Sequence, residues 1–223
     1  MTNNILKNIA SEDIDDLLVK IEKSFCIKFN KTELTNILTF GELCDLVAQK
    51  IKFTHNDDCT TQQAFYKLRD AISITFEIEK KTISPDFSLI DLLPRRDRLT
   101  MTRDLEKYLG IKLNILRPPH WLTVTLFGLL LISLFGLYFA WKTGISGLVL
   151  SIFGLWIANK KGIELDAQNV GDVAEKMARE NYMKSRRNST TFNESEIEKV
   201  LTDLFSIEFG IEKSKINRET KFV

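Results

Sequence analysis

The sequence predicts an all-α protein made of two small helical bundles and a two-helix transmembrane hairpin. Three observations carry this prediction. Residues 121 to 141, WLTVTLFGLLLISLFGLYFAW, hold no charge and match the roughly 20 residues that a ~30 Å hydrocarbon layer requires. The arms on either side place apolar residues at i, i+3, i+4 and i+7, the spacing of helices with one buried face. Those arms also resemble each other in gap-free stretches, each falling at a helix boundary.

Composition narrows the function. The chain has 223 residues, 27% of them charged, with a formal net charge of +1, so its balance does not call for nucleic acid as a partner. Its three cysteines, Cys26, Cys44 and Cys59, are odd in number and far apart, which points to reduced thiols rather than a disulfide framework. The start, MTNNILKNIASEDIDD, lacks the basic-then-apolar order of a secretory signal.

Segment 1–52 reads as two helices. Ile14, Leu17, Leu18, Ile21 and Phe25 form the apolar stripe of the first, and TFGELCDLVAQKI (39–51) opens the second on Thr39 with Glu42 three residues later, a capping-box spacing. Segment 61–116 reads as two more. Phe65, Leu68, Ile72 and Phe76 mark one, with Thr60 and Gln63 as its cap pair; Met101, Leu105, Tyr108 and Leu109 mark the other. His55, Asp57, Asp58 and Cys59 lie in the polar stretch before them, a thin set of metal donors that reads as a capped turn.

Segment 118–159 is the hairpin. After Lys142 a second uncharged run, 143–159, is near the lower limit of spanning length and is read as a span. Trp121, Trp141 and Trp156 stand at the ends of the runs, where indoles sit at headgroup level. Gly136/Ala140, Gly147/Ser151 and Gly154/Ala158 are small-residue pairs four apart that allow close helix approach. Arg117 precedes the hairpin and Lys160 and Lys161 follow it, against a lone Lys142 in the turn. The positive-inside bias then gives a multi-pass protein of the plasma or inner membrane with both termini cytoplasmic. Segment 161–183 contributes one helix, opened by Asn169 with an acid three residues on. Residues 184–191, KSRRNSTT, read as a polar linker. Segment 193–223 contributes a helix with Ile197, Val200, Leu201, Leu204 and Phe205 on one face, capped by Asn193 and Glu196.

Three repeat pairs link these pieces. FEIEKKTISPDFSLI (76–90) aligns with FGIEKSKINRETKFV (209–223), IEKSFCIKFN (21–30) with LEKYLGIKLN (105–114), and TFGELCDLVAQKI (39–51) with NVGDVAEKMAREN (169–181). Together these motifs resemble the acyl carrier proteins, whose order is a first helix, a long loop I-x-x-[D/E]-x-x-[F/L], a second helix ending like LEEEFGIEI and a third opening like TVGDLVDYI. The loop pattern falls on Ile216, Glu219 and Phe222 and again on Ile83, Asp86 and Leu89. By this resemblance unit B runs in the family's order and is interrupted by the hairpin. Unit A is circularly permuted: its first helix and loop are 193–223, and its second and third helices are 1–52. The C-terminal residues are then expected to pack on the N-terminal helices, within one chain or by helix exchange in a homo-oligomer.

The resemblance also implies where chemistry would lie. Carriers bear 4'-phosphopantetheine on a serine at the start of the second helix. Counting back fourteen residues from Leu109 reaches Arg95 in unit B, which excludes modification there, and the same count from Phe25 reaches Ser11 in unit A, where the flanking Asp-Ser-Leu signature has become Ala10-Ser11-Glu12. An N-cap role explains Ser11 completely, with Glu12 and Asp13 favourably placed in the first turn. In unit A's second helix Glu12, Asp13, Asp15, Asp16 and Glu22 give the acidic face that carriers turn to basic partner enzymes. Unit B's carries Arg95, Arg96, Arg98, Arg103 and Lys107 beside the membrane. With neither a Gly-rich phosphate loop nor a nucleophile motif, the sequence points to a non-enzymatic scaffold with no catalytic or metal residues. Its expected partners are the lipid bilayer and cytoplasmic proteins, acyl-chain-handling enzymes among them; a membrane-tethered carrier is the alternative.

Overall fold

The computed structural model describes residues 11 to 222, the Ser11 side chain excepted. In chain order they form α1 (Ser11–Phe25), α2 (Lys31–Leu34), α3 (Phe40–Lys50), β1 (Thr54–His55), α4 (Thr60–Phe76), α5 (Leu89–Leu92), α6 (Arg98–Leu109), β2 (Leu116–Arg117), α7 (His120–Phe139), α8 (Trp141–Lys160), β3 (Glu164–Leu165), α9 (Val170–Glu180), α10 (Tyr182–Ser185), β4 (Thr191–Phe192) and α11 (Glu194–Phe209). The class is all-α. Two compact units divide the chain, Met1–Ile83 with Gly171–Val223, and Ser84–Val170. The boundary runs between helices that the sequence assigns to unit B: α4 and nearly all of α9 lie in the first unit and α6 in the second.

An apolar core in the first unit joins the two ends of the described chain. Leu17, Ile21 and Phe25 of α1 and Phe40, Leu43 and Val47 of α3 share it with Ile197, Leu201 and Phe205 of α11, all at most 2% exposed. Phe40 meets Phe205 edge-on, with ring centroids 5.3 Å apart, and Phe222 lies 5.8 Å from Phe205. The C-terminal strand-like segment adds backbone bonds: Phe40 N–H donates to Thr220 O (2.8 Å) and Phe222 N–H to Leu38 O (3.0 Å). Gly41 sits so near this segment that a Cβ there would lie 2.9 Å from Arg218 O. These contacts are made within one chain.

The repeats of the sequence are repeats of geometry. α4 ends in a left-handed residue, Glu77 (φ 56°), where α11 ends in Gly210 (φ 63°), the αL cap that closes many helices. A 3-10 turn follows in each copy, Lys80–Thr82 and Lys213–Lys215, and its first lysine pairs back to the helix, Lys80 to Asp70 at 2.9 Å and Lys213 to Asp203 at 2.6 Å. The Thr39–Lys221 bridge of the first unit has its counterpart at Ser88–Asn169 in the second, where Val170 N–H donates to Phe87 O (3.0 Å) and Leu89 N–H to Gln168 O (3.0 Å). The second helices also end alike. Phe29 N–H donates to Glu22 Oε1 and Leu113 N–H to Glu106 Oε1, both at 2.7 Å, after left-handed Cys26 and Gly110.

Two caps differ from the sequence reading. Thr39 and Glu42 do form their capping box, but the N-cap residue of α4 is Cys59, with Thr60 already the first residue of the helix, and Glu196 does not turn back to Asn193. Its carboxylate instead reaches α4, accepting from Thr60 N–H (2.9 Å) and the Thr60 hydroxyl. The stretch 184–191 is likewise not solvated throughout. Ser185 and Arg186 are buried, and β4 pairs in parallel with β1. The Arg186 guanidinium donates to Thr60 Oγ1 (2.6 Å), Asp58 O (3.1 Å), Asn56 O (3.2 Å) and Thr191 Oγ1 (3.3 Å), and stands 3.7 Å from Glu196. The Tyr182 hydroxyl completes the cluster, donating to Glu196 at 3.0 Å; burial raises its pKa. Buried polar groups persist where they find such partners.

In the second unit α7 and α8 form an antiparallel hairpin. Both helices are long and apolar enough to cross a membrane, and the apolar window of α7 is wholly unburied, unlike the core helix of a soluble protein. The second run is longer than its uncharged stretch suggests. Ala140 (φ −149°, ψ 84°) alone makes the break, so Trp141 and Lys142 open α8 rather than closing α7 or forming the turn, and 20 residues at ~1.5 Å each span about 30 Å. The helices touch along α8's small residues. A Cβ at Gly144 would lie 2.7 Å from Leu137 N, at Gly147 2.2 Å from Ser133 Oγ and at Gly154 2.9 Å from Leu126 Cδ2, while Ser151 and Ala158 are buried. The hydroxyls of Ser133 and Ser151 bond to carbonyls of their own helices.

Candidate functional site

α1 is amphipathic because its apolar residues recur every three or four positions. Leu17, Ile21 and Phe25 are fully buried, which turns Glu12, Asp13, Asp15 and Asp16 to solvent on the opposite side. Glu12 and Asp13 stand in the first turn, where the positive end of the helix dipole favours anions. Val19, 60% exposed, and Lys20 and Lys23 extend this face. Lys20 pairs with Glu208 of α11, so one of the few cations here is already neutralised.

Glu22 does not belong to this face. Its side chain is only 13% exposed, and the carboxylate accepts from Lys28 Nζ (2.6 Å) and Phe29 N–H (2.7 Å). Burial pushes its pKa up, but the Lys28 ammonium and the Phe29 N–H outweigh that and hold it below the ordinary carboxylate range. The residue fixes the turn after α1. The periodicity of the helix does not reveal this, because the bonds come from the following loop.

Ser11 opens α1, and its side chain lies outside the described residues. Beneath the start of the helix is an apolar cavity of about 100 Å³. Ile14, Leu17 and Leu18 of α1 line it together with Leu34, Ile37, Leu43, Phe205 and Phe222. It is smaller than the ~150 Å³ engineered cavity that holds a benzene, so it has room for only a short stretch of hydrocarbon as it stands. At the edge of this core Cys44 is 3% exposed and burial raises its thiol pKa to about 12, which makes it inert, whereas Cys26 and Cys59 are exposed.

The remaining candidate positions are scattered by role. His55 Nε2 lies 2.8 Å from Asp57, and Asn56 and Asp58 serve Arg186 through their carbonyls; among the described residues no group of three or more His, Cys, Asp or Glu side chains converges as metal ligands would. Trp121 lies in the first turn of α7, Trp141 in the first turn of α8, and Trp156 one turn before α8 ends, stacked on Phe153 with centroids 5.8 Å apart. Lys160 closes α8 with its ammonium 5.0 Å from the Trp156 ring, and Arg117 pairs with Asp166. The buried Arg186 cluster is the feature that sequence reasoning missed. No family model matches the chain, and neither a curated protein nor a solved structure matches it.

Proposed function

We propose that the protein is a non-enzymatic integral membrane protein that displays carrier-like helical bundles on the cytoplasmic face as docking sites for partner proteins. The observation that carries this reading is the outward face of α1, where Glu12, Asp13, Asp15 and Asp16 are exposed beside Val19. Clustered charge of one sign steers a basic partner and acts mainly on its rate of encounter. The recurring loop and cap geometry supports the carrier-like reading of both units. The hairpin anchors the display, and Arg117, Lys160 and Lys161 at one end against Lys142 at the other support placing both soluble arms in the cytoplasm.

The test uses membrane vesicles from the protein's own host. Inside-out vesicles should capture a basic partner at low salt. Reversing Asp15 and Asp16 to Lys should slow capture by roughly tenfold or more, as rim charges do. Capture by right-side-out vesicles alone, or capture indifferent to the reversal, would contradict the reading.

A second reading, a membrane-tethered carrier modified with 4'-phosphopantetheine at Ser11, draws support from the apolar cavity beneath the start of α1. The intact mass of protein made in its own host separates the two. On the scaffold reading the mass is that of the unmodified chain. A phosphopantetheine increment that vanishes in Ser11→Ala establishes the carrier instead.

A further inference from the structure

We infer that the end of the hairpin where the chain enters α7 and leaves α8 is a binding surface for anionic phospholipid headgroups, centred on Arg96, Lys160 and Lys161. The inference rests on the reading that the hairpin spans a bilayer. The entering and leaving strands are locked together: β2 pairs antiparallel with β3, Asp166 N–H donates to Ile115 O at 2.9 Å, and Gly162 approaches so closely that a Cβ would lie 2.5 Å from the Arg117 carbonyl carbon. This holds together the two backbone segments that carry charge at the hairpin's mouth.

Their pairing is uneven. Glu164 is taken by Arg95 at 2.7 Å and Asp166 by Arg117. Arg98, 5% exposed, is spent on the carbonyls of Leu93 and Ile163, tying the start of α6 to the chain just past Lys161. Arg96 follows Arg95 directly, and Lys160 and Lys161 precede Glu164 by four and three positions. All three are exposed and make no ion pair among the described residues. Asp97, the N-cap residue of α6, is the exposed acid nearest to Arg96 in sequence.

The depth of the site selects its occupant. An indole at the end of a transmembrane run sits at the headgroup level, and Lys160 lies against the Trp156 ring, so its ammonium is held where lipid phosphates are. Soluble acidic proteins reach that depth poorly. A basic residue near an anionic surface gains roughly a fivefold advantage, so three give about a hundredfold at low salt.

The experiment uses the full chain in bilayer nanodiscs of phosphatidylcholine with one-fifth phosphatidylglycerol, released gently into detergent, with retained lipids counted by native mass spectrometry. The wild type should retain phosphatidylglycerol enriched severalfold over its share of the bilayer. Arg96→Gln/Lys160→Gln/Lys161→Gln should lose the enrichment, Lys160→Arg/Lys161→Arg should keep it, and so should a control, Lys52→Gln/Lys81→Gln/Lys221→Gln, at exposed sites elsewhere. Bulk composition in the wild type, or undiminished enrichment in the triple variant, overturns the inference. Displacement of the lipid by millimolar glycerol phosphate overturns it too, since the site would then be one for free phosphate. Flotation with pure phosphatidylcholine vesicles tests the membrane reading separately: a chain that does not float refutes that reading, whereas one that floats without enriching phosphatidylglycerol refutes only this inference.

Discussion

A chain truncated after Asn193 is expected to lose the fold of α1 and α3, although these lie more than 140 residues away in sequence. The truncation removes Ile197, Val200, Leu201, Leu204 and Phe205, each at most 8% exposed in the core that α1 and α3 share. Burying such a side chain contributes about 1.5–3 kcal/mol, so the five together are comparable to the ~5–15 kcal/mol by which a whole domain is stable. The backbone bonds from Phe40 to Thr220 and from Phe222 to Leu38 go with them, as does the Arg218 pairing to Asp45 and Glu198. Surface pairs like the last contribute little, and the apolar term decides the outcome. Hydrogen exchange should show the amides of Leu43 to Val47 exchanging as in an unfolded chain, and a peptide covering residues 194–222 added separately should restore their protection. Protection that survives the truncation would mean that the first unit's core does not depend on its C-terminal part.

What could be read in the sequence follows the range of the forces involved. The capping box of Thr39 and Glu42 was legible because both partners lie within one helical turn. The hairpin was legible from hydropathy alone, but its turn was not. Lys142 looked like a turn residue, whereas the backbone breaks at Ala140 and leaves the lysine on the first turn of α8 beside the Trp141 ring. Glu196 and Glu22 show the harder limit. Each is spaced like a local cap or a solvent-facing acid, yet each is claimed by a group that only tertiary structure brings near, Thr60 in one case and the loop after α1 in the other. Charge in a polar run reads as solvation for the same reason, which is how Arg186 passed for part of a linker.

That arginine gives the second large effect. Arg186→Met should destabilise the first unit by about 3 kcal/mol, near the lower end of what breaking one side of a buried ionic pair causes. Two opposing contributions set the figure. Methionine removes the desolvation penalty of a guanidinium that is 1% exposed and fills similar space. Against this, the carbonyls of Asn56 and Asp58 and the hydroxyls of Thr60 and Thr191 lose their donor at once; a buried group left unpaired costs about 1–3 kcal/mol, which applies in full at Thr60, 1% exposed, and less at the others, which belong to exposed or half-buried residues. Glu196 is less exposed to loss than its distance from Arg186 suggests. Its carboxylate keeps the Thr60 N–H, the Thr60 hydroxyl and the Tyr182 hydroxyl as donors, and its side chain is 17% exposed. Arg186→Lys should not rescue the site, because an ammonium offers its protons from one point and cannot span the carbonyls and hydroxyls that the planar guanidinium reaches together. Adding Glu196→Gln to Arg186→Met should return a part of the loss, about 1 kcal/mol, by removing the charge left without its counterion. Native-state hydrogen exchange reads all of these at the Asn56 amide, which donates to Phe192 O at 2.8 Å in the β1–β4 pairing. A fall in protection of roughly a hundredfold in Arg186→Met, at about 1.4 kcal/mol per factor of ten, is the expected result. A change of less than threefold would mean that the apolar core alone holds β1, β4 and the start of α4 together.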